Sequence, residues 1–129
     1  SSSIYLNIYD LYPKINRIGD HLGLGIYHTG VQINTENYIA EYCFGCHPYD
    51  FSGVFLVEPK KAKGFIFRES IYMGEINMIP ADLDRLIETI GNEFTGKSYH
   101  FLKKNCNSFS NELIKRLINK EIPVYLNRL

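Results

Sequence analysis

The chain has 129 residues, 45% hydrophobic and 22% charged, with 14 lysines and arginines balancing 14 aspartates and glutamates. That length fits a single domain able to bury a core without a metal or a disulfide, and a net charge of zero provides no basic field for nucleic acid or an anionic membrane. No apolar run approaches the roughly 20 residues that span a bilayer, so stable membrane insertion is not expected.

The three cysteines are an odd number, and no Asn-x-Ser/Thr acceptor occurs. Both features argue against a secreted disulfide framework and for a reducing compartment, the cytoplasm and by extension the nucleus.

The opening Ser1-Ser2-Ser3 is read as an artificial leader without structural weight, leaving one domain over residues 4–129. Residues 4–9 (Ile-Tyr-Leu-Asn-Ile-Tyr) are rich in strand formers, and residues 10–20, with Pro13 and Gly19, read as a loop. Residues 25–33 form a second strand, the Asn34-Thr35-Glu36-Asn37 cluster a turn, and residues 38–44 a returning third strand. A simple hairpin about Thr35-Glu36 sets Gly30 opposite Glu41 and His28 opposite Cys43. Residues 43–52 loop out. Residues 53–57 and 65–68 read as short strands around an exposed loop, Lys60-Lys61-Ala62-Lys63-Gly64, with a further strand near 72–76.

The tail is helical. Leu83, Leu86, Ile87, Ile90 and Phe94 recur at helical spacing, with Asp82 and Asp84 at the end the helix dipole favours for acids. A second helix follows Asn105, carrying Phe109, Leu113, Ile114, Leu117 and Ile118, with Lys115, Arg116 and Lys120 toward its C-terminus and Pro123 as its stop. The class predicted is α+β, an antiparallel sheet packed against helices.

Cys106 is the leading candidate for chemistry. Asn105 can cap the second helix, which puts Cys106 in its first turn, where unpaired N–H groups stabilise a thiolate and lower its pKa. The same groups can contribute to an oxyanion hole. The competing reading is a cysteine that merely packs.

His28 is the candidate base. On its strand Ile26, His28, Gly30 and Gln32 share one face, while Tyr27, Thr29, Val31 and Ile33 share the other, a core face. In the simple register Glu41 lies diagonal to His28 and can orient the imidazole. A structural histidine is the plain alternative, and a slip of one residue would move these partners to the opposite face.

Cys43-x-x-Cys46-His47 matches half of a zinc site and, literally, a haem-attachment pattern. His21, His47, His100 and Cys106 add no second ligand pair at zinc spacing, so an incidental loop is favoured over a metal, a haem or a redox pair. No metal and no cofactor is expected. Gly23-Leu24-Gly25 lacks the glycines and setting of a dinucleotide loop, and the lysine run reads as a solvated loop tip.

The chain resembles the PPPDE family, the desumoylating isopeptidases. The resemblance runs in order through Tyr9-Asp10-Leu11, Leu22 to Val31, Glu41-Tyr42-Cys43-Phe44-Gly45, Ser52-Gly53-Val54-Phe55, Phe67-Arg68-Glu69-Ser70-Ile71, Met73-Gly74, Ser98-Tyr99-His100, Lys104 to Ser110, and the closing Ile122 to Leu129. The Phe-Arg-Glu-Ser and closing segments look most like the branch of the second desumoylating isopeptidase. The resemblance implies a permuted papain-like fold, an antiparallel sheet or half-barrel packed against helices. It also implies a Cys106–His28 dyad that cleaves isopeptide or peptide bonds at the C-terminus of SUMO or ubiquitin, with no cofactor. Glu41, Asn105 and Tyr42 are candidate orienting or groove residues, and Tyr27 and Tyr99 candidate walls. Family members often carry Gly where this chain has Cys46, which favours the incidental reading of Cys-x-x-Cys-His.

Other functions fit parts of the pattern. Thioesterase activity on S-acylated proteins is one. The Asn105-Cys106-Asn107-Ser108-Phe109 run also resembles lecithin:retinol acyltransferase-like enzymes, which act on lipid acyl groups. A non-catalytic module that binds ubiquitin-like modifiers is the third. Oligomeric state is open at this level.

Overall fold

The computed structural model describes residues 1–11 and 26–127. Most of the expected loop over residues 10–20, the Gly23-Leu24-Gly25 stretch, His21 and the closing Arg128-Leu129 lie outside the described residues. Among the described residues five strands, β1 (Ser2–Asp10), β2 (Tyr27–Asn34), β3 (Ile39–Phe44), β4 (Val54–Val57) and β5 (Ile66–Ile76), precede two helices, α1 (Pro80–Glu93) and α2 (Cys106–Ile118). Short 3₁₀ turns cover Gly96–Ser98 and Val124–Asn127.

The strands form one open antiparallel sheet in the order β4-β3-β2-β1-β5. With helices packed on it, this is the expected α+β class. β1 begins earlier than expected: Ser2 and Ser3, given no structural weight above, pair with β5 at Ile76 and Glu75, and Ser3 with β2 at Asn34. The two expected strands over 65–68 and 72–76 are one strand. Its register against β1 shifts between Ile4 and Tyr5 and between Ile8 and Tyr9. Such bulges bend a long strand without breaking it, which is why its alternation reads as two short pieces in the sequence.

The period-2 pattern of β1 and β2 sorts their side chains onto two faces. Ile4, Leu6 and Ile8 of β1, Tyr27, Val31 and Ile33 of β2, and Tyr42 and Phe44 of β3 join one apolar core with Leu83 and Ile90 of α1 and Phe109, Leu113 and Ile114 of α2. Each large apolar side chain fully buried there contributes about 1.5–3 kcal/mol of transfer free energy. The opposite face is also buried but polar: Asn7 and Tyr9 of β1, His28 and Gln32 of β2, and Glu41 of β3. The β4–β5 loop covers part of it, through contacts described below.

The hairpin joining β2 and β3 pairs Gln32 with Glu41 and Val31 with Tyr42. This is two residues away from the simple register, so the faces are kept but Glu41 sits one pair further from His28. The ladder with β3 ends at Val31 and Tyr42, whereas β2 stays paired with β1 as far as Tyr27. Residues 27–30 therefore offer a strand edge that β3 does not occupy, and α2 docks there.

Helix α1 starts at Pro80, which pre-sets the first helical φ. Helix α2 is capped as expected: Asn105 Oδ1 accepts from the N–H groups of Asn107 (3.0 Å) and Ser108 (3.1 Å), and Ser108 Oγ accepts from Asn105 N–H (3.0 Å). It ends before Pro123, at Asn119, whose left-handed φ of 54° stops the helix.

Candidate active site

Cys106 is the first residue of α2, and its thiol is buried. It lines a small cavity of about 60 Å³ with His28, Phe65, Tyr99, Asn105 and Asn107. Two groups singled out from distant parts of the sequence thus share one cavity.

Asn107 makes that meeting possible. Its Oδ1 accepts from Thr29 Oγ1 at 2.7 Å, and its Nδ2 donates to the carbonyls of Tyr27 (3.2 Å) and Leu126 (2.8 Å). The Ser110 hydroxyl hydrogen-bonds Thr29 Oγ1 in turn, at 2.8 Å. The start of α2 is thereby fastened to the residues on either side of His28. Asn107 was not singled out in the sequence, although a second amide after a cap, at a position that turns inward, is a detectable sign of a buried polar tie.

The electrostatics correct one expectation. Burial pushes the Cys106 thiol above its ordinary pKa, against the lowering influence of the Thr29 N–H, the Tyr99 hydroxyl and the N–H groups of Asn107 and Cys106 itself. The helix start is present, but desolvation outweighs it. His28 is pulled down to about 4 by burial. Both shifts favour neutral thiol and neutral imidazole over an ion pair at neutral pH.

His28 is held in an unexpected way. Its Nε2 is buried and makes no hydrogen bond. The ring is stacked on Phe65 (centroids 4.3 Å apart, planes 14° from parallel) and tilted against Tyr9 (5.4 Å). Glu41, expected to orient it, makes no bond to it. The Glu41 carboxylate instead accepts from Asn7 Nδ2 (2.6 Å), Tyr9 OH (2.7 Å), the Lys60 N–H (2.9 Å) and Cys43 Sγ (3.6 Å). Asn7 extends this network to Gln32 (2.9 Å) and Ser70 (2.6 Å). The two-residue difference in register explains the correction: Glu41 pairs with Gln32, lies beside Gly30 and bonds Tyr9, whose ring packs against the imidazole.

The other candidates separate cleanly. Asn105 lines the cavity and caps α2. Tyr27 and Tyr99 line it too. Tyr42 does not; it points into the core on the opposite face from Glu41, so it is no groove residue. In the Cys-x-x-Cys-His stretch Cys43 is buried beside Glu41, Cys46 is exposed, and the His47 ring bonds the Ser52 carbonyl (2.9 Å) and the Tyr49 N–H (3.2 Å). Among the described residues no group of three or more His, Cys, Asp or Glu side chains could hold a metal ion. The lysine loop is more than a solvated tip: Lys60, Lys61 and Lys63 are exposed, but Ala62 is buried and its N–H donates to Tyr9 OH (3.4 Å).

Comparison with known families fits this arrangement. The family described as "PPPDE putative peptidase domain" matches residues 2–129. The chain belongs to the PPPDE family. A DeSI-like protein of Arabidopsis thaliana is 40% identical over 98% of the chain and 54% of its own length. A desumoylating isopeptidase 1 homolog of Caenorhabditis elegans is 40% identical over 98% of the chain and 37% of its own length. The DeSI-like protein sdu1 of Schizosaccharomyces pombe is 39% identical over 98% and 63%. The chain thus spans between about a third and two thirds of these PPPDE relatives. No helix among the described residues is long and apolar enough to cross a membrane.

Proposed function

We propose that this domain is a thiol isopeptidase that removes SUMO, or ubiquitin, from proteins, with Cys106 as nucleophile and His28 as general base and acid. The observation that carries the reading is the shared cavity, lined both by His28, whose buried Nε2 has no hydrogen-bond partner, and by a cysteine at a helix start. The names of the relatives support SUMO-conjugated protein as the first substrate to test.

His28 takes the Cys106 proton, and the thiolate attacks the carbonyl of the modifier's C-terminal residue. Because Asn105 Oδ1 already occupies the N–H groups of Asn107 and Ser108, the helix start leaves the N–H of Cys106 to meet the oxyanion, with the Tyr99 hydroxyl on the same cavity wall. His28 then protonates the departing lysine amine. Water, activated by the same imidazole, cleaves the thioester and restores the thiol. Neither step calls for a cofactor.

The test is intact mass after incubation with electrophilic C-terminal probes of SUMO and of ubiquitin, for wild type, Cys106→Ala and His28→Ala. An adduct on wild type that both substitutions abolish supports the dyad and ranks the modifiers. Absence of an adduct, with hydrolysis of a small acyl thioester retained, moves the substrate to S-acylated proteins or lipids. Binding of modifier with neither adduct nor turnover leaves a binding module.

A further inference from the structure

The face of the sheet opposite the core carries a buried carboxylate that plays no direct part in the mechanism above. Glu41 is fully buried and accepts the backbone N–H of Lys60 at 2.9 Å. Lys60 has a left-handed φ of 67°, a conformation that costs a non-glycine residue about 1 kcal/mol or more and persists only when its surroundings hold it. Tyr9 OH donates to Glu41 at 2.7 Å and accepts the Ala62 N–H at 3.4 Å. The loop between β4 and β5 is thus pinned at two consecutive points to one carboxylate–phenol pair, and three residues later it delivers Phe65 onto the His28 ring. The phenol ring of the same pair packs against that imidazole and lies 6.4 Å from the Phe65 ring.

We propose that Phe65 is a positioning residue for His28, and that the Glu41–Tyr9 pair acts as the latch that seats it, so that an aromatic clasp does here what a hydrogen-bonding carboxylate or amide does in a triad. The inference rests on the proposed role of His28 as catalytic base. A histidine base needs its ring plane fixed and one nitrogen directed at the nucleophile. Stacking fixes the plane without engaging either nitrogen, and it leaves Nε2 without a partner. Among the described residues the ring packs against Tyr9 from β1 and Phe65 from the β4–β5 loop and shares its cavity with Cys106 and Tyr99; none of these is a charged partner, and the loop's own lysines are exposed. The imidazole's low pKa of about 4 has burial as its cause, consistent with a ring covered on its faces.

The test compares wild type with Phe65→Ala, Phe65→Tyr and Glu41→Gln, by NMR titration of the His28 ring, by kcat/KM against pH on a modifier–lysine conjugate, and by thermal midpoint. The His28 signals are assigned by their loss in His28→Asn. Phe65→Ala uncovers the ring: its pKa should rise by one unit or more toward 6.5, the acid limb of kcat/KM should move up with it, and kcat should fall at least tenfold at pH 7 with KM little changed. Phe65→Tyr should restore both readouts. Glu41→Gln should give a smaller shift in the same direction. An unchanged His28 pKa in folded Phe65→Ala, or full activity without the ring, overturns the clasp. The titration needs no turnover, so it judges the clasp even if Cys106 proves inert toward every probe, an outcome that would sink the catalytic reading alone.

Discussion

The side chain of Asn107 accepts a 2.7 Å hydrogen bond from Thr29 and donates to the carbonyls of Tyr27 and Leu126. One amide thereby joins the helix that begins at Cys106, the strand that carries His28 and the C-terminal turn. Asn107 is buried, so truncation takes one hydrogen-bond partner from the Thr29 hydroxyl and one from each of two carbonyls in the interior. Asn107→Ala should lose about 2–4 kcal/mol in urea unfolding. Its activity should fall more than the unfolded fraction explains, because the helix start is no longer tied to β2. A variant with wild-type stability would remove Asn107 from this role.

Gly30 faces Glu41 across the sheet so closely that a Cβ there would overlap the carboxylate. That carboxylate has four donors around it and cannot swing aside without abandoning them. Gly30→Ala should therefore destabilise the domain by roughly 2–4 kcal/mol. A differential scanning calorimetry midpoint within a degree of wild type would show that the network can move.

Burial lowers His28 to about 4 from an ordinary 6.5. The unfolded chain then binds a proton at this position in a pH range where the folded one does not. Its contribution to stability is complete above pH 6.5, declines as pH falls, and is gone below about 4. The difference of about 2.5 units corresponds to an order-of-magnitude 3 kcal/mol. The unfolding free energy of wild type should fall more steeply between pH 6.5 and 4 than that of His28→Gln. Parallel curves would mean that His28 keeps its solution pKa in the folded domain.

Burial raises the Cys106 thiol. Alkylation by iodoacetamide, followed by mass spectrometry at Cys106, should therefore be slow at pH 7 and climb only above the ordinary thiol range of about 8.5. Tyr99→Phe removes one of the interactions that lower it and should slow alkylation further. Fast reaction at pH 6 would instead indicate a standing thiolate–imidazolium pair.

For catalysis itself, Cys106→Ala and His28→Ala should each cost roughly 10³-fold or more in isopeptide hydrolysis, and the double variant little beyond either, since nucleophile and base act as a unit. Additive losses in the double variant would mean that the two residues work separately.

Much of this molecule was legible in one dimension. The alternation of β1 and β2, the stripe of α1 and the Asn105 cap depend on near neighbours, and neighbours are what a sequence displays. The order of Cys106, His28 and the flanking segments also carried the family resemblance. Partners remote in sequence were harder. Hairpin register depends on how the turn closes, and a difference of two residues moved Glu41 from the imidazole to Tyr9 and Lys60. Tyr42 sat on the wrong face for a groove because adjacent strand residues point oppositely.

By itself the sequence determined the α+β class and the capped helix start on which Cys106 stands, because each follows from local periodicity, capping and residue chemistry. Only the tertiary structure decided that the thiol is buried deeply enough for desolvation to outweigh the helix terminus, that the imidazole is clasped by aromatic rings, and that Glu41 secures a loop. Those outcomes depend on which distant surfaces exclude water from which groups, and solvent exclusion is a property of packing in three dimensions.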